Sequence, residues 1–274
     1  MRLFSRCQLP VCVAFALITT GCAREPQPGT PEGAAAGDRL MRSMNDSLAH
    51  AKTITFQTTE RIEAIAQSGE KRTLHFKRKT AVRRPNALYF ELRGDGDNGL
   101  HLEAFYRDGT LTLSDMTDRT WARTEVPGTI DEMLDDVMRR FRLPVPVGDV
   151  VSSSPADAIM GNSARGGLVG WVTIENTACA EMDYSDMVVG VKLWLPRSGP
   201  ALPRRQEIRY KNAPVPLLTR LDFTNWRLDE PLTDSTFTFQ PPANLPPVEF
   251  SDLVDRMVSR ALPAEVQGVA PATK

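Results

Sequence analysis

The glycine-rich stretch from Gly94 to Gly99 is where residue types and spacing first match a chemical motif. It fits the G-x-G-x-x-G pattern of phosphate-binding loops, whose chemistry needs a helix directly after the last glycine. Residues 100–106 instead alternate apolar and polar side chains, which is typical of a strand. Asp95 and Asp97 suggest a calcium loop, but the third oxygen ligand and the closing glutamate are missing at the required spacing. The stretch is therefore predicted to connect two strands, with adventitious calcium binding as the alternative.

Acidic and nucleophilic side chains elsewhere have simpler explanations than catalysis. Four carboxylates cluster at residues 131–136, in the first turns of a predicted helix, where they complement the helix dipole. Cys179 lies in an apolar strand pattern, and such a cysteine is usually a small buried hydrophobe. The whole chain has three histidines and four cysteines, too few for a His/Cys-rich metal cluster. The sequence therefore predicts no enzyme activity, no metal site and no cofactor.

Composition sets broad limits on function. The 274 residues include 33 basic and 34 acidic side chains, for a net charge of −1. That balance argues against binding nucleic acid, which needs a clear basic excess. No run reaches the ~18 apolar residues of a membrane-spanning helix.

The N-terminal 22 residues are typical of an export signal. Two arginines precede a short apolar stretch at residues 9–20, and small residues stand directly before Cys22. This end resembles the lipobox of bacterial lipoproteins, in which the cysteine is acylated, although Thr19 stands where that box has leucine. We expect Cys22 to carry acyl chains such as palmitate and to tether the protein to a membrane. Ordinary cleavage and an uncleaved anchor are the alternatives.

The residues after this cysteine indicate where the protein is held. Ala23, rather than aspartate, follows Cys22, which by resemblance to enteric-type sorting rules favours the outer membrane over the inner one. Residues 23–37 are rich in proline, glycine and alanine, so a flexible tether on the periplasmic side is predicted. The folded domain is expected at residues 38–250, followed by a short helix and disordered tail at residues 251–274.

The folded domain is dominated by segments with the two-residue period of strands. Six such segments lie between residues 53 and 126, and Asp108-Gly109 is the strongest hairpin signal among them. Five more lie between residues 168 and 227, and residues 237–239 are predicted to form a last short strand. Consecutive strands without crossover helices predict an antiparallel sheet.

Few helices are available to cover this sheet. Helical spacing is found at residues 38–51 and 129–141, and a short helix is predicted at residues 154–160. Thr129 and Glu132 form a capping box at the start of the second helix. About eleven strands are therefore expected to share two or three helices.

Several motifs occur in the order found in a known family. They lie at residues 83–85, 107–113, 127–132, 191–195, 203–204 and 237–242. Over residues 40–245 the chain resembles an uncharacterised periplasmic family, a domain of unknown function that is similar to the LolA and LolB lipoprotein carriers. The resemblance implies a curved sheet around helices, an apolar cavity for acyl chains, and lipid or lipoprotein handling. Members often have Cys-x-His where this chain has Cys179-Ala180-Glu181, so no metal or redox role is carried over.

The predicted fold class is therefore α+β, with a strongly curved antiparallel sheet of about eleven strands forming a half-barrel around two or three helices. A sheet this large is expected to leave an apolar concavity, and a fully packed core is the equal alternative. The expected lining residues are large and apolar and lie on the strands and the second helix. They are Phe56, Phe76, Leu88, Phe90, Leu92, Leu111, Leu113, Met133, Met138 and Trp194.

The predicted function is the binding of an acyl chain or a lipidated protein inside this half-barrel, without catalysis. The alternative is a ligand-free scaffold that docks another envelope protein through a sheet edge or a helix face. A solid interior would favour the scaffold.

Overall fold

The structure is built on one antiparallel sheet. The computed structural model describes residues 25–65, 71–95, 99–143, 145–161, 166–211 and 217–261. In chain order the strands found there are β1 Thr53–Ile65, β2 Lys71–Arg83, β3 Ala87–Gly94, β4 His101–Arg107, β5 Thr110–Asp115, β6 Thr120–Glu125, β7 Gly166–Ile174, β8 Thr177–Ser185, β9 Val189–Pro196, β10 Arg205–Tyr210 and β11 Leu217–Leu228. The prediction of a curved, unclosed, eleven-stranded antiparallel sheet is confirmed.

Two meanders meet at the centre of this sheet. The strand order is β6-β5-β4-β3-β2-β1-β11-β10-β9-β8-β7. Strands β1–β6 form the N-terminal meander and strands β7–β11 form the C-terminal meander, so each is made of sequence neighbours. The pairing of β1 with β11 joins the two meanders. The hairpin between β4 and β5 turns at Asp108 and Gly109, whose φ angles of 48° and 82° suit the twist of the flanking strands. Strands β3 and β4 pair around the glycine-rich stretch, as predicted, although residues 96–98 lie outside the described residues.

The helices lie on the apolar, concave face of the sheet. Their bounds are α1 Pro31–His50, α2 Ile130–Phe141, α3 Gly148–Val151, α4 Pro155–Met160 and α5 Phe250–Ala261. Buried residues from all five join one cluster with the inward side chains of both meanders. The capping box of α2 is present: the Glu132 amide donates to Thr129 Oγ1, and the Glu132 carboxylate accepts from the Thr129 amide.

The first helix begins at Pro31 rather than at residue 38, so the predicted tether was too long. Thr30 caps the helix by accepting a hydrogen bond from the Gly33 amide at 3.1 Å, and proline suits the first helical position. Gly37 is buried, and a Cβ atom on it would lie 2.9 Å from Met182 Cε. Small residues in residues 31–37 therefore allow close packing on the sheet. Residues 1–24, including Cys22, lie outside the described residues, as do residues 262–274.

The predicted strand at residues 237–239 was wrong. The chain forms a 3-10 helix at Asp234–Phe237 on the outer, convex face of the sheet. The Asp234 carboxylate accepts hydrogen bonds from Arg83 at 2.7 Å and Arg107 at 2.8 Å. The hydrogen bond from Arg83 and the charges of both guanidinium groups lower the pKa of Asp234. Phe237 packs against Ala81 and Ala87, so the segment covers the outer face instead of extending the sheet.

A buried ion pair lies on the concave face at the centre of the sheet. Glu60 on β1 and Arg78 on β2 are 1% and 4% exposed. Arg78 Nε donates to Glu60 Oε1 at 2.6 Å and Nη2 donates to Oε2 at 3.1 Å. Thr58 Oγ1 donates to the same carboxylate at 2.7 Å, and the guanidinium lies 4.8 Å from the centre of the Phe90 ring. The carboxylate is thus fully engaged, which offsets the cost of removing both charges from water.

Substituting Arg78→Met should lower the free energy of unfolding by about 3–5 kcal/mol, because the Glu60 carboxylate then stays buried without its partner. The double variant Glu60→Leu/Arg78→Met should recover most of that loss, because no charge remains in the interior. Urea unfolding, followed by tryptophan fluorescence, measures the free energy of unfolding of both variants. Lys77→Met is the matched control on the exposed face and should change stability by less than about 0.5 kcal/mol. Equal destabilisation by Lys77→Met and Arg78→Met would contradict this account.

Candidate ligand-binding cavity

The N-terminal meander is packed solid. Helices α2 and α5 contribute to the core over β3–β6, and the void found there measures about 20 Å³. A void of that size holds no more than a water molecule. Its walls include five of the predicted lining residues, namely Leu88, Phe90, Leu111, Leu113 and Met133. Phe56, Phe76 and Leu92 are buried in the same core and line neither this void nor the cavity described next.

Trp194 faces the wrong way for a lining residue. It lies on the outer face of β9 in a small cluster with Ile174 and Cys179. Its neighbours Leu193 and Leu195 take the concave face, since successive side chains on a strand alternate between faces. The prediction that Trp194 lines the interior was therefore wrong.

A cavity of about 450 Å³ lies beside the C-terminal meander, between the helices and strands β9 and β10. Met138, on α2, is the one predicted lining residue found in its wall. The full lining is Asp131, Leu134, Asp135, Met138, Leu143, Val145, Pro146, Gly148, Asp149, Ser152, Ser153, Ser154, Asp157, Ala158, Val188, Val189, Val191, Ile208 and Tyr210.

The floor of the cavity is an apolar patch on two neighbouring strands. Val191 pairs with Ile208, and Val189 pairs with Tyr210. All four side chains lie on the concave face, and Leu134 and Met138 from α2 form part of the wall. Of these six residues, only Met138 was predicted to line the cavity; the others were predicted to lie on strands and on the apolar face of a helix. The alternation of side chains along β9 and β10 was the sequence signal that could have placed the four strand residues on one face.

The cavity exists because the helices above these strands are short. Helix α3 has four residues and α4 has six, so their side chains cover less of the sheet than α2 covers on the other half. Pro146 and Pro155 interrupt this part of the chain, since proline cannot continue a preceding helix. The concave face is therefore partly uncovered, and two of the four floor residues are small valines.

The polar residues of the cavity are concentrated on its helical side. Both oxygens of Asp131 accept hydrogen bonds from the Ser153 amide, the shorter at 2.9 Å. Gln206, fully buried on β10, donates to Asp149 Oδ2 at 3.4 Å. Burial, reinforced by the charge of Asp149, raises the pKa of the Tyr210 phenol. The phenol therefore stays protonated at neutral pH and can donate a hydrogen bond.

An exposed apolar side chain directly precedes two lining residues in the sequence. Met187, in the turn between β8 and β9, is 87% exposed. The next two residues, Val188 and Val189, line the cavity. The turn between β8 and β9 therefore carries an exposed apolar residue and part of the cavity wall.

Two other groups of side chains have features of chemical sites. Glu91, His101 and Glu103, on the outer face, offer ligand atoms within 4.8 Å of one another. Burial raises the pKa of Glu91, but hydrogen bonds from Arg93 and Lys79 outweigh it, and the pKa is lowered overall. The Glu91 charge is already balanced by these cations, which disfavours a bound metal ion. Burial also raises the pKa of the Cys179 thiol, which disfavours the reactive thiolate.

Comparison with known proteins identifies a family. The family model described as "Predicted periplasmic protein (DUF2092)" matches residues 37–251. A search of curated proteins found no significant match. None of the described helices is long and apolar enough to cross a membrane.

Several solved structures are similar over most of their length. A DUF1329 family protein from Desulfovibrio piger is 14% identical, with 75% of this chain and 97% of that chain covered and a TM-score of 0.36. An uncharacterised conserved protein from Thermus thermophilus is 7% identical, with 77% of this chain and 98% of that chain covered and a TM-score of 0.42. A LolA superfamily protein from Nitrosomonas europaea is 10% identical, with 74% of this chain and 97% of that chain covered and a TM-score of 0.33. Likenesses this weak carry no argument about a ligand.

Proposed function

We propose, from the premise that the chain belongs to the DUF2092 family of predicted periplasmic proteins, that its half-barrel binds an acyl chain. The observation that carries the proposal is the cavity of about 450 Å³ against β9 and β10. Small-molecule sites are typically about 300–1,000 Å³ and largely apolar, with a few polar groups that fix orientation. The valine and isoleucine floor provides the apolar part, and the aspartates and serines of α2–α4 provide the polar part.

The size of the cavity favours a single tail. Its volume lies near the lower end of the range for ligand sites, and the packed N-terminal meander offers no continuation for a second chain. A tail on the floor would leave its head group at the helical side. Each CH₂ group that enters contributes roughly 0.8 kcal/mol, so a chain of ordinary length is held without any covalent step.

Docking of another envelope protein is the second candidate, and a solid interior was the feature expected to favour it. The open cavity favours ligand binding over docking. The ligand could be a free lipid or the acyl chain of a lipidated protein, since both present the same chemistry.

The neutral fluorescent probe N-phenyl-1-naphthylamine should bind the protein one to one and be displaced by decan-1-ol. Met138→Trp should weaken binding by about tenfold or more, because the larger side chain occupies the space of the tail. Ala158→Leu, a smaller change on another wall, should weaken it less. Fluorescence titration measures the affinity of each variant, and circular dichroism checks that each is folded.

Val169→Trp is the matched control, since Val169 is 48% exposed on the edge strand β7 and does not line the cavity. It should leave the affinity unchanged. Absence of saturable probe binding to the wild-type protein, or equal binding by folded Met138→Trp, would reject the cavity as the site and leave docking as the function.

We also propose that the protein is a lipoprotein held at the outer membrane through acylated Cys22, with the domain in the periplasm. The support is the sequence around Cys22 and the family description. Helix α1 begins at Pro31, so a tether from residue 23 to residue 30 would place the domain close to the membrane surface.

Cys22→Ala should move the protein from the membrane fraction to the soluble periplasmic fraction, because a single cysteine carries the whole anchor. Metabolic labelling with a clickable palmitate analogue should mark the wild-type chain and not the variant. Cys12→Ala, which changes a cysteine inside the predicted signal, should leave both results unchanged. A labelled or membrane-bound Cys22→Ala protein would show that the anchor lies elsewhere.

A further inference from the structure

We infer that one end of the sheet rests on the lipid head groups of the membrane and that the cavity is held at the opposite end, away from the bilayer. The membrane-facing end, called the anchor end below, consists of the β7–β8 turn at residues 175–176 and the β9–β10 connection at residues 197–204. This inference rests on the proposed anchor at Cys22 and adds the orientation of the domain.

The residues that precede α1 are packed beside the anchor end. Glu25 forms an ion pair with Arg197, and the Pro26 carbonyl accepts a hydrogen bond from Trp171 Nε1 at 2.8 Å. Both contacts join positions more than a hundred residues apart in the sequence. The path of the chain relative to the sheet is therefore fixed from residue 25 onward.

The link from these contacts to the proposed anchor is short. Three peptide units connect Cys22 to Glu25, and even fully extended they span at most about 11 Å. Because acyl chains on Cys22 enter the membrane, the membrane surface lies within about that distance of Glu25. The end of the sheet that Glu25 contacts is thus the end that faces the head groups.

The surface of the anchor end suits lipid head groups rather than the hydrocarbon interior. Residues 197–200 are exposed, and the exposed large apolar side chains of the described residues, Val169 and Met187, lie elsewhere. Each arginine of the β9–β10 connection is paired with a glutamate: Arg197 with Glu25, and Arg204 with Glu175 at 3.6 Å. A polar surface with balanced charge matches zwitterionic head groups.

The cavity lies at the other end of the same strands. Val189 lines the cavity and Pro196 adjoins the anchor end, so about 23 Å of β9 separates them. Helix α1 gives a second measure, since it starts beside the anchor end and its 20 residues span about 30 Å. Near its far end, Arg84 Nη2 donates to the carbonyls of Leu48 and Ser152, and Ser152 lines the cavity.

This separation determines how a ligand enters. With the anchor end on the membrane, the lining residues at the start of β9 face the periplasm at a distance of more than about 20 Å from the head groups. A lipid therefore has to leave the bilayer before its tail enters the cavity, and the ligand is exchanged with the periplasm.

Two labels at opposite ends of β9 test the orientation in the full acylated chain, purified from membranes and bound to phosphatidylcholine vesicles. Ser198→Cys places a thiol-reactive fluorescent dye at the anchor end, and Met187→Cys places the dye in the turn before β9. Cys179 is 0% exposed and stays unlabelled. A nitroxide on the lipid head group quenches a dye only at short range, so it should quench the Ser198→Cys label at least threefold more than the Met187→Cys label.

Glu25→Lys/Trp171→Phe removes both contacts of the segment before α1 and should make the quenching of the two labels equal. Asp46→Lys, the same charge change at an exposed position near the far end of α1, should preserve the difference, and circular dichroism checks that each variant is folded. Equal quenching without these substitutions, stronger quenching of the Met187→Cys label, or a difference that survives Glu25→Lys/Trp171→Phe would overturn the orientation and leave the anchor standing. Failure of the wild-type chain to bind the vesicles would overturn the proposed anchor and this inference with it.

Discussion

An open sheet of eleven strands with one apolar face needs more cover than short helices provide, and this mismatch shapes the molecule. The apolar side chains of the concave face must leave water. Over β3–β6 the twelve-residue helices α2 and α5 cover these side chains and leave a void of only about 20 Å³. Over β9 and β10 the cover comes from α3 and α4 and the edge of α2, and about 450 Å³ stays unfilled. The same sheet is therefore a packed core on one half and a binding surface on the other.

The junction between the two halves is polar. Glu60, Arg78 and Thr58 form a connected set of hydrogen bonds near the β1–β11 pairing, and Gln206 lies farther along the same face on β10. Replacing a buried ion pair by apolar residues is often neutral for stability, and in some proteins the pair instead selects one arrangement of the chain. Here it would penalise a register shift between β1 and β2, because a shift of one residue moves each charge to the opposite face. A fixed register in turn holds the floor of the cavity in place through β11 and β10.

The sequence predicted the elements better than their positions in space. The capping box of α2 and the Asp108-Gly109 turn are local signals, and both are present. Residues 237–239 have the alternating pattern of a strand. Their structure is instead decided by the contacts of Asp234 with Arg83 and Arg107, which are more than a hundred residues away in the sequence. Trp194 was assigned to the wrong face because nearly every residue of β9 is apolar, so the sequence does not show which side chains point to the concave face. Helix α3 is only four residues long, too short to show a period.

The sequence predicted a concavity but not its position, because the position depends on how far short helices reach across a sheet. The most direct test of the account is native mass spectrometry of the protein purified gently from the cell envelope. The account predicts a population heavier by one acyl-chain-bearing molecule, which detaches on mild activation and is missing from folded Met138→Trp. A spectrum of the bare chain alone, with no uptake when lipid is offered, would contradict it.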